Sequence, residues 1–157
     1  MTRLNSLKEH CIVFDINSKD EPDLRSELEC FPDVDPGIEV VGDRVLVQLR
    51  REKTTSKGGI ILVDETKQTL RFNETVAKVI QIGPLAYKNL DDLTPWIEGP
   101  WCKVGDLVRT IKYGGDRFVI QPGDEGAPVV FITIQAREII SKIKNFEAAQ
   151  KMKAFVD

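Results

Sequence analysis

The side chains that most often carry enzyme chemistry are sparse in this sequence and poorly placed for it. His10 is the only histidine, so neither a histidine-activated nucleophile nor a histidine metal ligand has much support. Adjacent carboxylates occur at Asp64-Glu65, Asp91-Asp92 and Asp124-Glu125, in settings typical of solvated turns. No glycine-rich phosphate-binding motif is present. The sequence therefore predicts no catalytic residues and a protein that is not an enzyme.

The cysteines do not predict a metal site, a cofactor or a disulfide framework. Three are present, Cys11, Cys30 and Cys102, far apart and odd in number. This pattern is typical of reduced thiols in a reducing compartment. Structural zinc sites need closely spaced Cys or His pairs, which are absent. We therefore expect no metal and no cofactor.

Charge and hydropathy exclude two classes of partner. The net charge is −3, with acidic and basic residues mixed along the chain, so no basic face for nucleic acid is expected. No apolar run approaches the roughly 20 residues that cross a bilayer. The apolar stretch Cys11–Phe14 is shorter than the core of a signal peptide, which has roughly 7–15 residues. We expect a cytoplasmic protein that binds neither nucleic acid nor membrane.

One short segment has the composition of an apolar binding element. The polar stretch Lys53–Lys57 has no apolar residue to anchor it, and the two glycines that follow add backbone freedom. Three aliphatic residues come next. They fit either a hairpin that enters a core strand or an exposed hydrophobic anchor. The candidate binding residues are Gly58, Gly59, Ile60, Ile61 and Leu62.

The elements that must position this segment fall into three zones. Residues 1–37 form an acidic N-terminal arm whose end, Phe31–Gly37, carries two prolines that favour an extended connector. Residues 38–143 form the main body, and residues 144–157 form a C-terminal tail. No internal repeat is visible.

The body has the pattern of a β-protein, with short runs of β-branched residues separated by glycine and proline turns. In the first run Leu46 interrupts the polar side, so this strand is expected to be buried on both faces. Such spacing indicates a sandwich or small barrel. The predicted strands are Arg44–Arg50, Ile60–Val63, Thr75–Ile82, Asp106–Ile111, Phe118–Gln121 and Val129–Ile134.

Helices are predicted only outside the body. Asp23–Leu28 is expected to be a short helix with Leu24 and Leu28 on one face. In the tail, Ala148, Met152 and Phe155 have the spacing of one helical face, so Glu147–Asp157 is expected to form a docked helix.

The order of motifs in the body resembles the GroES co-chaperonin family. Each motif is weak alone, but together they span about two-thirds of the chain. They are Gly42-Asp43-Arg44-Val45-Leu46-Val47, Gly58-Gly59-Ile60-Ile61-Leu62, Val76-Ala77-Lys78-Val79-Ile80-Gln81-Ile82-Gly83, Lys103-Val104-Gly105-Asp106-Leu107-Val108, Tyr113-Gly114-Gly115 and Glu138-Ile139-Ile140.

This resemblance implies an all-β fold, a small partly open GroES-like β-barrel. The N-terminal arm and the short C-terminal helix are predicted from the residues alone and are additions to that barrel. It also implies a ring, seven-membered in the family, that caps a large chaperonin while ATP is bound by that partner. In the family a mobile loop docks its aliphatic triplet in a groove of the large subunit, a role that falls here on Ile60, Ile61 and Leu62.

Further positions follow from the same resemblance. Family barrels pair the first strand of one subunit with the last strand of its neighbour, near Ile38–Val41 and Ile139–Ile143 here. The subunit-interface candidates are therefore Val40, Arg44, Ile139, Ile140 and Ile143, although Arg44 also fits a solvated strand end. Tyr113 would face the cavity, or pack in its own turn. Trp96 and Trp101 would belong to the roof, as an interface or as the small core of a long segment.

The sequence departs from the family in three places: the arm, the tail and Leu85–Trp101, which replaces a shorter roof hairpin. These departures indicate a divergent member, such as one encoded by a bacteriophage. They also leave open an alternative function, in which the fold serves as a connector or cement component of a larger assembly such as a virion.

Overall fold

Within residues 24–52, 71, 73–123 and 128–153, which the computed structural model describes, the chain folds mainly as β-strands. A 3-10 helix spans Ala136–Glu138, and two short α-helices flank the strands, α1 (Glu27–Cys30) and α2 (Phe146–Lys151). This composition confirms the all-β prediction. The strands are β1 (Arg44–Leu49), β2 (Val76–Ile82), β3 (Leu107–Thr110), β4 (Asp116–Ile120), β5 (Val129–Gln135) and β6 (Ile139–Lys142).

The strands form one antiparallel sheet in the order β4-β5-β1-β2-β3-β6. In this order β1 pairs with both β2 and β5, and its central position is fixed by the registers Val47↔Val79 and Val47↔Ile132. β4 and β6 lie at the two edges, and no ladder joins them in the part of the chain that the structure describes. The sheet is thus partly open, as expected.

β1 is buried on both faces, as its sequence predicts. Val45, Val47 and Leu49 pack in the main core cluster with side chains from β2 and β5. Leu46 points the other way, into a second cluster that contains Val129 and Phe131. A strand covered on both sides needs apolar residues at consecutive positions, which explains why its sequence does not alternate.

The start of β1 and the end of β2 are held together by two glycines. Gly83 lies so close to Gly42 and Arg44 that a Cβ atom on Gly83 would collide with both of their carbonyl oxygens. The Gly83 N–H donates to the Arg44 carbonyl oxygen over 2.8 Å. Gly42 has a φ of 67°, a conformation that costs other residues energy. The close approach explains the glycine at the end of the β2 motif.

The predicted arm helix Asp23–Leu28 is wrong in its bounds. Residues 24–26 are not helical, and α1 begins only after Ser26, whose hydroxyl accepts from the Glu29 N–H while the Glu29 carboxylate accepts from the Ser26 N–H. This capping box sets the start of the helix. Leu24 and Leu28 are exposed, and the residue that packs inward is Cys30.

The predicted tail helix is present but shorter than expected. α2 ends at Lys151, with Met152 as its C-cap, and Asn145 caps its N-terminus. Ala149 is fully buried, while Ala148 and Met152 pack partly against the same cluster. Residues 154–157, and with them Phe155, lie outside the described residues. Among the described helices, none is long and apolar enough to cross a membrane.

Candidate partner-binding and assembly sites

The predicted binding segment is bracketed by two strands that lie side by side. Residues 50–52 directly follow β1, and residues 71–75 directly precede β2. The Arg50 N–H donates to the Val76 carbonyl oxygen over 3.0 Å, and Arg71 Nη2 lies 2.7 Å from Glu52 Oε1. The described residues on either side of residues 53–70 therefore lie next to each other on the barrel. Gly58, Gly59, Ile60, Ile61 and Leu62, and the predicted strand Ile60–Val63, lie outside the described residues.

A buried ion pair stands at this junction. Arg50 and Glu74 are 7% exposed each, and Arg50 Nη2 lies 3.1 Å from Glu74 Oε2. Glu74 Oε1 also accepts from the backbone N–H groups of Thr75 and Val76. Burial raises the pKa of the Glu74 carboxyl above its ordinary value, against the opposing pull of Arg50 and the two N–H groups. The pair ties the end of β1 to the residues just before β2.

The predicted subunit-interface residues fall into two groups. Val40, Ile139 and Ile143 are buried within this chain, at 8%, 4% and 5% exposure. Arg44 is exposed at the start of β1, and Ile140 is exposed on the edge strand β6. Of these side chains, Arg44 and Ile140 are thus accessible to a neighbouring subunit. The other three pack inside their own chain and are not accessible to it.

Residues 38–41 are held against β2 by a side chain that sequence reasoning missed. Gln81 Nε2 donates to the Ile38 carbonyl oxygen over 2.9 Å, and Gln81 Oε1 accepts from the Val40 N–H over 3.0 Å. This is the pattern that a neighbouring strand would supply to alternate residues. Ile38 and Val41 are exposed here. The sequence signal that could have identified Gln81 is its position as a lone glutamine among the aliphatic residues of β2.

The backbone of residues 38–41 has a free side. Among the described residues, nothing accepts from the N–H groups of Glu39 and Val41. β6 is likewise an edge strand, paired only with β3 in the described part of the chain. Two open edges are therefore available for pairing, and unpaired edges of this kind promote association between chains.

Trp96 and Trp101 form a small aromatic core together with Tyr87. The ring centroids lie 5.5 Å apart for Tyr87 and Trp96, and 5.1 Å apart for Trp96 and Trp101. The Tyr87 hydroxyl donates to the Ala136 carbonyl oxygen over 3.1 Å and lies 3.3 Å from Cys102 Sγ. Burial raises the pKa of the Tyr87 phenol. The long segment is thus ordered by its own aromatic cluster, which packs on the main core.

Tyr113 is placed differently from the two tryptophans. Its side chain is 79% exposed, with Lys112 Nζ 5.4 Å from the ring centroid. It does not pack into its own turn in this chain, so it is free to face a cavity or a neighbour. The predicted role in the cavity stays a prediction.

The described residues contain no cluster of metal-ligating side chains, and the two cysteines among them are buried. No group of three or more His, Cys, Asp or Glu side chains in the described ranges could hold a metal ion. The side chains of Cys30 and Cys102 are buried, and burial raises the pKa of the Cys102 thiol. A thiol that stays protonated is a poor nucleophile. The features that remain are a bracketed binding segment and two open edges.

Comparison with known proteins matches the body of the chain to one family. The sequence model of the family described as Chaperonin 10 Kd subunit matches residues 37–143. The co-chaperonin GroES of Chlamydia felis is 33% identical over 104 residues, 66% of this chain and 88% of that protein. The co-chaperonin GroES of Methylacidiphilum infernorum is 40% identical over 82 residues, 52% of this chain and 75% of that protein.

Proposed function

The chain belongs to the Chaperonin 10 Kd subunit family, and from this premise we propose that it forms a ring that caps a large ATP-dependent chaperonin. Membership gives it a co-chaperone role in protein folding and makes it a non-enzymatic partner. In the proposed complex the large subunit binds and hydrolyses ATP, and this chain closes the cage. We propose that the complex works in the cytoplasm and that the ring has seven subunits.

The observation that carries the proposal is the bracketing of residues 53–70. Because Arg50 is bonded to Val76, and Arg71 to Glu52, both ends of the segment are anchored at one place on the barrel. Such an arrangement can present a peptide without disturbing the sheet. The segment contains Gly58 and Gly59 directly before the Ile60–Leu62 triplet. We propose that this triplet is the docking anchor and that the segment gains its order on binding.

The energetics favour many weak contacts over one strong contact. Burying one such aliphatic side chain is worth about 1.5–3 kcal/mol. Ordering the segment costs roughly 1–2 kcal/mol for each residue fixed. The two contributions are of similar size, so one subunit would dock weakly. A ring that docks several subunits at once gains avidity from the linkage and can still release when its partner changes state.

Ring formation is proposed from the two open edges. Residues 38–41, held by Gln81, would pair with β6 of a neighbouring subunit. The exposed side chains of Ile38, Val41 and Ile140 lie along these edges and would be covered in the ring. Closing the ring would cover both of these edges, which lowers the risk of aggregation through them.

A connector or cement component of a larger particle is the alternative from a different functional class. It was suggested by the arm and tail as devices for holding neighbouring molecules. Their described parts, residues 24–36 and 144–153, instead pack on their own chain through Cys30, Phe31 and Ala149. This packing favours the co-chaperonin proposal.

The test is a capping assay with a matched pair of substitutions. Leu62→Asp removes the last residue of the proposed anchor, and Ile97→Asp makes the same change at a fully exposed position in the long segment. With a purified bacterial chaperonin and ATP, wild type and Ile97→Asp should form a capped complex on a sizing column. Leu62→Asp should remain folded, judged by circular dichroism, and should fail to cap.

Two results would contradict the proposal. If Leu62→Asp unfolds, the triplet belongs to the core and is not a docking anchor. If wild type forms a stable ring that never caps the chaperonin, the co-chaperonin proposal fails, and recovery of that ring from purified particles would support the connector function.

A further inference from the structure

The two parts of the chain that lie outside the matched range 37–143 meet at one end of the barrel. Cys30 and Phe31 from the N-terminal side pack with Ala149 from α2 in a single apolar cluster. The barrel contributes Val76 and Leu107 to the same cluster. Val76 is the first residue of β2, so the cluster lies next to the junction from which residues 53–70 depart.

The N-terminal part holds the residues that follow β1. The Arg25 guanidinium donates through Nη2 to the Arg51 carbonyl oxygen over 2.7 Å and through Nη1 to the Glu52 carbonyl oxygen over 3.1 Å. The Arg51 N–H donates in turn to the Cys30 carbonyl oxygen over 2.9 Å. The Arg51 N–H and the carbonyl oxygens of Arg51 and Glu52 are thus all bonded to a segment that lies before the matched range.

The C-terminal helix holds the adjacent residue. Arg50 donates to the Ala149 carbonyl oxygen over 2.7 Å and to the Met152 carbonyl oxygen over 2.6 Å, while its remaining donors bind Glu74. Carbonyl groups at the end of a helix carry a partial negative charge that favours a cation. Arg50 therefore caps the C-terminal end of α2 and links this helix to β1 and to the start of β2.

The two extensions also bind each other. Gln150 Nε2 donates to the Arg25 carbonyl oxygen over 3.2 Å. Both extensions thus act on residues 50–52 as one connected unit, through contacts that are mostly to backbone atoms. Backbone carbonyls need a partner when they are withdrawn from water, so these contacts fix the path of the chain as well as its position.

We propose that residues 24–36 and 144–153 form a brace that orders residues 50–52, so that the docking segment begins at residue 53 and not at the end of β1. This inference rests on the proposed docking of Ile60–Leu62. A binding segment that is already ordered at its base loses less conformational entropy when it docks, so the brace strengthens capping without touching the partner. Arg25 is the positioning residue, because its planar fork spans two successive carbonyls.

The test replaces Arg25 in the full-length chain. Arg25→Gln removes the charge and the fork, and Arg25→Lys keeps the charge but presents no planar fork. The control is Arg137→Gln, the same exchange at an exposed arginine whose side chain has no hydrogen bond or ion pair to the described residues. Hydrogen exchange is followed at the amides of Arg50 and Arg51, with Val47 and Ile132 as references inside the sheet. Capping is titrated with a purified bacterial chaperonin and ATP.

Both Arg25 variants should exchange about tenfold faster at Arg50 and Arg51, the effect of losing about 1.4 kcal/mol of local stability. The amides of Val47 and Ile132 should be unchanged, which separates local release from global unfolding. Capping by both variants should weaken by at least the same factor, because each docked subunit loses the benefit. Arg137→Gln should match wild type in both measurements.

Several outcomes would overturn the inference. Unchanged exchange at Arg50 and Arg51 would show that the extensions do not order the base. Faster exchange with unchanged capping would show that this order does not contribute to docking. Wild-type exchange and capping in Arg25→Lys would refute the role of the planar fork of Arg25. If wild type itself fails to cap, the proposed function fails, and so does the proposed effect of the brace on docking. The hydrogen-exchange data would still decide whether the brace orders residues 50–52.

Discussion

Arg50 is a buried cation that connects three parts of this small domain: the end of β1, the residues before β2 and the C-terminal end of α2. Its guanidinium donates to the Glu74 carboxylate, to the Ala149 carbonyl oxygen within α2 and to the carbonyl oxygen of Met152, the C-cap of that helix. A buried ion pair of this kind contributes little net stability compared with an apolar pair, but removing one partner leaves an uncompensated charge. The structural importance of Arg50 is therefore best revealed by deleting it.

We expect Arg50→Met to lower the free energy of unfolding by about 3–5 kcal/mol near neutral pH, measured by urea denaturation. Glu74 would lose its counter-ion, and burial would raise the pKa of its carboxyl further. A raised pKa means that the folded state binds a proton more readily than the unfolded chain. The stability from this group is then present below the unfolded pKa and lost as pH rises through the folded pKa.

The deficit of Arg50→Met relative to wild type should therefore be smaller at about pH 5.5 than at about pH 8. Arg109→Met, at an exposed position of β3, is the matched control and should show a small deficit that does not vary with pH. A deficit in Arg50→Met that is equal at both pH values would contradict the assignment of Glu74 as a buried group that depends on Arg50.

Sequence reasoning did not identify Arg50, Glu74 or Gln81, and the reason is physical. Their contacts join residues far apart in the chain, Arg50 to Met152 for example, and composition and periodicity report only on neighbours. The choice of Arg44 and Ile140 as interface candidates came from the family resemblance. That resemblance could not show that Val40, Ile139 and Ile143 are buried within their own chain.

At the scale of elements, the strands were predictable because their apolar residues recur at short range. The predicted Val129–Ile134 and Thr75–Ile82 differ from β5 and β2 by one residue each. The helices were less predictable. α1 and α2 are 4 and 6 residues long, too short for periodicity to define, and their bounds depend on the caps at Ser26 and Asn145.

The cap of α2 gives a prediction at this scale. Asn145 Oδ1 accepts from the Ala148 N–H over 2.8 Å, so Asn145→Ala leaves a donor of the first turn without its partner. We expect the free energy of unfolding to fall by about 1 kcal/mol in urea denaturation. Asn145→Ser retains an oxygen cap and should be close to wild type. Equal losses in both variants would show that another property of Asn145 is responsible.

At the scale of the whole molecule, the sequence predicted the barrel better than its surroundings. Six motifs in a fixed order identified the body, since the order of turns and strands records the topology. The placement of the arm and tail could not be predicted, because it depends on complementary surfaces such as the cluster of Cys30, Phe31 and Ala149. These extensions turned out to pack against the barrel in their described parts.

The proposed ring depends on the presentation of residues 38–41, and Gln81 offers a direct test of it. In Gln81→Glu the side chain keeps an acceptor for the Val40 N–H but faces the Ile38 carbonyl oxygen with a second oxygen instead of a donor. Two acceptors repel, so the segment should leave β2. Pairing with β6 of the next subunit would then need the edge to be ordered during assembly, at a cost in conformational entropy.

We therefore expect Gln81→Glu to assemble with a midpoint concentration at least tenfold above that of wild type, a change of about 1.4 kcal/mol per contact, measured by sedimentation velocity over a dilution series. Gln121→Glu, the same exchange just after β4, should assemble like wild type. The sheet should persist in both variants by circular dichroism, because Gln81 holds residues outside the strands. Assembly of Gln81→Glu at the wild-type concentration would show that residues 38–41 do not form the contact, and a monomeric wild type would refute the ring itself.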